Sequence, residues 1–306
     1  METSSSEEEA EWAVKLPEKY KVQKVLGEGG FGKVLQCWRT DTEETVAVKI
    51  PLHIDIDNKK EIAILKKLMC LNFDRCNIVK FFGWFHMSCG KALVFELLDI
   101  CILDFIMNID LGPFLLSDIR VIILQMAIAL EALRTVGLIH ADIKVDNIMM
   151  VDHRTRPFRV KLIDFGLTMY RSKAKAGMHV QTINYRAPEI FLGMMFSEAI
   201  DVWSLGCVMA AMLFSYPLFC KFDEFRETDK EYFGWFFSGQ ERRIQDESLD
   251  TRKELHLKSM DESEVEDGGR CFDLLKAMLK FNEAERIRPN QILTHPFITT
   301  SQHCSQ

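Results

Sequence analysis

Between Gly137 and Met150 the chain reads G-L-I-H-A-D-I-K-V-D-N-I-M-M, placing His140, Asp142, Lys144, Asp146 and Asn147 inside eight positions between apolar runs. Asp142 and Asn147 are five apart, and fourteen residues beyond Met150 a second carboxylate, Asp164, follows the apolar pair Leu162-Ile163 and precedes Phe165-Gly166. A carboxylate accepts a strong hydrogen bond from a hydroxyl about to react. Carboxylate and amide oxygens suit a hard cation such as Mg²⁺. Two such sites, presented on loops by apolar elements, point to metal-assisted phosphoryl transfer, a chemistry of positioning and charge neutralisation.

Phosphates need backbone N–H groups and a cation, and the first hundred residues offer both. Gly27, Gly29 and Gly32 fall in G-E-G-G-F-G. The same spacing satisfies a dinucleotide fingerprint, but that fold needs a helix at the third glycine. Here Lys33-Val34-Leu35-Gln36-Cys37-Trp38 reads as a strand. A Walker loop is excluded, because Val34 and not Ser or Thr follows Lys33. A glycine-rich hairpin lying over phosphates remains. Lys49, in V-A-V-K, has apolar neighbours that argue for burial, and a buried lysine needs an anionic partner. A helix from Lys59 to about Met69, capped by Asp57 or Asn58, carries Glu61 on the face of Leu65 and Leu68, placed to pair with Lys49.

Around these groups the pattern predicts strands from Tyr20, at 45–50, over 77–85 and over 91–98, giving a five-stranded sheet with one helix over residues 18–97. Residues 98–298 read as mainly helical. Ser117 is the expected cap of a helix through Val136 that Gly137 stops. Residues 200–214 are apolar almost all round, which suits the centre of a domain, with Asp201 near the start as a cap or a functional acid. Residues 221–269 are dense in charge and read as solvated helices and loops, while 271–279 and 289–297 close the domain. Residues 1–17 read as an acidic disordered tail and 299–306 as a short tail.

A net charge of −7 argues against direct nucleic-acid binding. Nine scattered cysteines without a C-x-x-C pair read as reduced thiols. With no signal-like start and no apolar run of about 18 residues, the expectation is an intracellular protein of nucleus or cytoplasm, off the membrane and monomeric.

Taken in order, G-E-G-G-F-G-K-V, V-A-V-K, Glu61, H-A-D-I-K-V-D-N, D-F-G, A-P-E at 187–189 and D-V-W-S-L-G-C resemble the eukaryotic protein kinases over about Tyr20 to Phe297. The flanking text resembles the homeodomain-interacting protein kinases, which lie near the dual-specificity tyrosine-regulated kinases. The resemblance implies an α+β bilobal kinase fold, ATP with Mg²⁺, and protein substrates, with transcription regulators among the partners. By that resemblance Asp142 is the catalytic base, and Lys144 neutralises the γ-phosphate in the D-x-K spacing of serine/threonine kinases. Asn147 and Asp164 bind Mg²⁺, and Lys49, fixed by Glu61, holds the α- and β-phosphates. Leu26, Gly27, Glu28, Gly29, Gly30, Phe31, Gly32, Lys33 and Val34 cover the nucleotide. Val34, Ala47 and Met149 sandwich the adenine, which the backbones of Glu96 and Leu98 hydrogen-bond, with Phe95 behind. His140 packs in a spine with Phe165, Leu65 and an aromatic near Phe82. Asp201 anchors the catalytic loop and Glu189 pairs with Arg286.

Three positions depart from the pattern. Ala141 replaces the arginine that grips a phosphorylated activation loop. His179 stands where related families carry an autophosphorylated tyrosine, and Ile183 replaces an arginine. Both of the latter count against family-style activation and proline-directed substrates. Thr182 keeps the spacing that lets a hydroxyl reach Asp142. The alternative reading is a nucleotide-binding pseudokinase or scaffold.

Overall fold

A computed structural model describes residues 16–29, 32–51, 58–88, 90–108, 114–215, 218 and 262–300. It divides into two compact units, the first running to Asp99 and including Ile163–Thr168, the second taking Ile100–Leu162 and the chain from Met169.

The first unit is built on strands β1 (Tyr20–Gly29), β2 (Gly32–Arg39) and β3 (Glu44–Ile50), helix α1 (Lys59–Leu68), the single turn α2 (Phe73–Cys76), and strands β4 (Phe81–Met87) and β5 (Gly90–Glu96). The strands form one antiparallel sheet in the order β1-β2-β3-β5-β4. Val46, Val48 and Ile50 alternate inward and join Tyr20, Leu35, Cys37, Ala92 and Val94 in one core, as the period of two requires. The third glycine of the hairpin has a steric reason. Gly32 has φ +143°, and a Cβ there would lie 2.3 Å from the Ile50 carbonyl oxygen.

Two local expectations are corrected here. The 77–85 strand begins at Phe81, because Asn77 takes the left-handed cap of α2 (φ 52°). Asn58 occupies the N-cap of α1 without capping it; its amide donates to the Lys91 carbonyl at 2.6 Å, tying α1 to β5. The other candidate cap, Asp57, lies outside the described residues, as do the tail residues 1–15 and 301–306.

The second unit comprises α3 (Ile102–Asn108), α4 (Leu116–Thr135), the short strand β6 (Leu138–Ile139), the hairpin β7 (Ile148–Asp152) and β8 (Arg156–Leu162), β9 (Met169–Tyr170) pairing with β6, the turn α5 (Pro188–Phe191), α6 (Ala199–Phe214), α7 (Glu262–Met278), and the turns α8 (Pro289–Ile292) and α9 (Pro296–Thr299). Every residue of α6 from Ile200 to Leu213 is buried, as its all-round apolar sequence demands. Gly206 lets α7 approach closely, since a Cβ there would meet Leu279 Cδ2 at 2.8 Å. Ser117 is not the cap of α4: Leu115 holds that position, and the Ser117 hydroxyl turns to Asp118 instead. Part of the charged 221–269 stretch, from Glu262, is the start of α7; its residues up to 261 lie outside the described set. Buried Arg120 ties α4 to α7 and α9, pairing with Asp267 and donating to the Phe297 carbonyl at 2.6 Å.

Glu189 at the start of α5 accepts both guanidinium nitrogens of Arg286, at 2.7 and 3.0 Å, and Arg286 also donates to the Lys280, Ala199 and Phe281 carbonyls. Both side chains are buried. Removing one member strands a buried charge, which costs about 3–5 kcal/mol. Glu189→Ala should therefore lower the thermal midpoint and the folded yield sharply, measured by melting of the purified chain; an unchanged melt would show that the carbonyls alone satisfy Arg286. Gly206→Ala should overpack the α6–α7 contact and cost about 1–3 kcal/mol in a denaturant titration.

Candidate active site

The apolar stretches that bracket the chemistry become β6, β7 and the end of β8, so the loop residues between them are held at both ends. In the second unit, Asp142 sits buried between three partners. Its Oδ1 accepts from the Thr182 hydroxyl at 2.7 Å, and its Oδ2 from Asn147 Nδ2 at 3.0 Å with Lys144 Nζ at 3.1 Å. Lys144 Nζ also reaches Thr182 Oγ1 at 3.3 Å. Asn147 spends its amide nitrogen on the Asp142 side chain and carbonyl, which orients its amide oxygen away as the atom for a hard cation. Asn147 closes the 3₁₀ turn Val145–Asn147 that leads into β7, where Met149 lies half-buried.

The loop is hung on one buried carboxylate. Asp201 Oδ2 accepts the His140 N–H at 2.7 Å and Oδ1 the Ala141 N–H at 2.8 Å. Ala141 is left-handed (φ 65°), so the next residue is turned out of the run. His140 is fully buried, and its Nδ1 accepts the Asp142 N–H at 3.2 Å, a packing and orienting role. Burial pushes the Asp201 carboxyl up to about 7, against the two backbone N–H groups that hold it down. A carboxyl whose pKa rises on folding adds stability that is complete below its unfolded value near 4 and is lost as pH climbs through about 7.

In the first unit, Lys49 Nζ lies 2.9 Å from Glu61 Oε1 and 2.9 Å from Asp164 Oδ1. The second contact was absent from the sequence reading, because nothing local to D-F-G reveals which cation its carboxylate meets. Burial alone would depress the lysine, but Asp164 and Glu61 overcome it, so Lys49 is held above its ordinary range and stays charged. Burial raises the Glu61 carboxyl, with Lys49 opposing. The remaining predicted contacts fall on the sheet. Leu26, Gly27, Glu28 and Gly29 are on β1; Gly32, Lys33 and Val34 on β2; Ala47 and Lys49 on β3; and Phe95 and Glu96 on β5, with buried Leu98 just beyond. Glu28 and Lys33 pair across the hairpin at 3.3 Å. Gly30 and Phe31 lie outside the described residues. The Glu96 N–H is taken by the Lys80 carbonyl at 3.0 Å.

Among the described residues no group of three or more His, Cys, Asp or Glu side chains forms a ready metal cage. Asn147 in the second unit and Asp164 in the first each carry an oxygen of the kind a hard cation takes.

Sequence reading also passed over Gln181. It is buried and left-handed (φ 68°), its N–H bonds the Ala141 carbonyl at 3.0 Å, and its amide donates to Ile200 O and Ser204 Oγ while accepting the Ala187 N–H. Arg186 closes the turn on the Val180 and Gln181 carbonyls. Of the residues suggested for the spine, Leu65 and Phe165 are buried, as is Phe81 beside Phe82.

The protein kinase domain family profile matches residues 20–298. The chain belongs to the protein kinase domain family. This kinase is similar to homeodomain-interacting protein kinase 2 of Mus musculus, 34% identical over 92% of the chain and 28% of that protein. Homeodomain-interacting protein kinase 1 of Caenorhabditis elegans is 43% identical over 65% of the chain and 24% of the relative. Homeodomain-interacting protein kinase 4 of Homo sapiens is 31% identical, over 92% of the chain and 55% of the relative. The kinase thus spans between a quarter and just over half of these relatives' length. A solved kinase-domain crystal structure superposes with a TM-score of 0.73 at 24% identity, covering 92% of the chain and 96% of its own, and shares the fold.

Asp201→Asn should cost about 1–3 kcal/mol, because an amide oxygen accepts where two oxygens did before. Compared with this variant, the natural chain should lose stability between pH 5 and pH 7 and level off above. Parallel melting curves across that range would show that the Asp201 carboxyl does not titrate there.

Proposed function

We propose that this kinase transfers the γ-phosphate of ATP to serine and threonine hydroxyls of protein substrates. The observation that carries the reading is the triangle of Asp142, Lys144 and Thr182, in which a short-chain hydroxyl already bonds the carboxylate at 2.7 Å with a lysine beside it. Asp142 accepts the hydrogen bond of the substrate hydroxyl, orients its oxygen and takes its proton as the new O–P bond forms and the bond from the γ-phosphorus to the bridging oxygen breaks, releasing ADP. Lys144 stands where it balances negative charge that grows on the transferring group. Asn147 holds Asp142 in place. Lys49, kept cationic and aimed by Glu61 and Asp164, binds nucleotide phosphate oxygens. The amide oxygen of Asn147 and the carboxylate of Asp164 would hold Mg²⁺, which when bound neutralises charge on the phosphates. The relatives' names speak of interaction with homeodomain proteins, which supports transcription regulators as partners of a kinase working in the nucleus, the cytoplasm or both.

The test gives purified protein labelled ATP, Mg²⁺ and a generic basic protein substrate. Asp142→Asn should cut incorporation at least about 100-fold, and phosphoamino-acid analysis should find phosphoserine and phosphothreonine. Lys49→Met should also lose activity. Stabilisation of the fold by ATP with no transfer by the natural chain would replace this reading with a nucleotide-binding scaffold.

A further inference from the structure

The activation segment carries a cluster of cations that the chemistry above does not use. Arg171-Ser172-Lys173-Ala174-Lys175 reads as a sparse solvated run, yet its backbone is tied down. The Arg171 N–H bonds the Gly137 carbonyl at 2.9 Å, the Ala174 N–H closes a turn on Arg171, and Ala174 itself is buried. Lys173 and Lys175, on either side of that buried alanine, are both exposed. Arg171 is engaged by Glu198 at 3.2 Å, whereas neither lysine has an ion-pair or hydrogen-bond partner among the described residues. The far end of the segment is fixed too, through the Gln181 N–H on Ala141 and the Thr182 hydroxyl on Asp142. Two unpaired ammonium groups are therefore presented from an anchored backbone on a chain whose net charge is −7.

From this placement we infer that Lys173 and Lys175 form a substrate-reading subsite for acidic or phosphorylated residues of the protein being modified. The inference rests on the kinase reading of Asp142. Lys175 stands seven residues before Thr182, and the turn that joins the Met178 N–H to the Lys175 carbonyl shortens the path. The two positions are thus at most about 25 Å apart. An extended peptide advances about 3.3 Å per residue, so the subsite meets side chains no more than about seven residues from the acceptor hydroxyl. With Ala141 in place of an arginine, the loop lacks that cation as a grip for a phosphate of its own. The two lysines face outward, where a partner's negative charge can reach them.

The experiment uses the full chain and three fluorescent peptides sharing one serine: one neutral, one with four acidic residues before the serine and one with four after it. Steady-state kinetics give kcat/KM, and anisotropy gives binding. One acidic peptide should be favoured about 3- to 10-fold over the neutral one, the effect falling with added salt. Lys173→Glu with Lys175→Glu should abolish that preference, leave the neutral peptide unchanged and leave the melting temperature intact. The charge-matched pair Lys21→Glu with Lys60→Glu should keep it. A preference that survives the activation-segment double variant, or an absence of preference in both readouts, overturns the subsite. Anisotropy reads the surface without catalysis. If no peptide is phosphorylated, salt-sensitive binding of the acidic peptide that the double variant loses supports the subsite while the kinase reading fails. Acid-blind binding sinks the subsite on its own.

Discussion

A carboxylate inside an apolar helix holds this molecule's chemistry in register. Asp201 projects from α6, whose neighbours are buried on every side, and accepts two consecutive backbone N–H groups from the loop that carries Asp142. Buried backbone N–H groups must be satisfied, and two in succession cannot both be served by an ordinary turn. Because the acceptor stands on a helix buried from Ile200 to Leu213, the left-handed turn at Ala141 is held in place, and Asp142 leaves the loop in one direction only. Asn147 and Thr182 then need only short hydrogen bonds to finish the arrangement.

The other unit solves a different problem, that of keeping charge buried without collapsing onto itself. Lys49, Glu61 and Asp164 together carry one net negative charge, and all three are at least partly buried. A lysine shared by two carboxylates stays ionised, but it makes a poor phosphate site by itself because both acids repel the incoming anion. The arrangement becomes favourable when a divalent cation accompanies the nucleotide, since the surplus charge of the triad then complements the ion. A triad of this charge suits an anion that arrives with a cation better than a bare one, in keeping with the oxygen donor that Asp164 contributes.

What could be seen in the sequence divides along physical lines. The glycine hairpin, the strand with Lys49, the Glu61 face of α1 and the buried α6 were all legible, because each depends on short-range period or on excluded conformations. The Glu189–Arg286 bridge and the Asp201 anchor came through the resemblance. Caps were misread at Asn58 and Ser117, where a distant carbonyl and a neighbouring acid outcompete the helix end for the side chain. Gln181 was invisible because a single glutamine has no pattern. Its role arises only when Ala141, Ala187, Ile200 and Ser204 converge on it from four segments.

Gln181 also explains how the segment stays ordered beside Ala141. An arginine at that position would bring a charge that calls for an anionic partner, and a phosphate would supply one. Here the same backbone carbonyl receives the Gln181 N–H, Gln181 reaches the α6 core through a neutral amide, and Arg186 satisfies the carbonyls left over in the turn. Amide and carbonyl partners carry the order that a phosphate clamp would otherwise impose. Such bonds neither depend on a modifying enzyme nor weaken greatly with salt, because they are buried and uncharged at one or both ends. The catalytic loop and the activation segment are consequently fixed by the same helix, Asp201 on one and Ser204 with Ile200 on the other, three residues apart along α6. A disturbance of α6 would reach both at once, while addition of a phosphate to the segment has no built-in cation at position 141 through which to act.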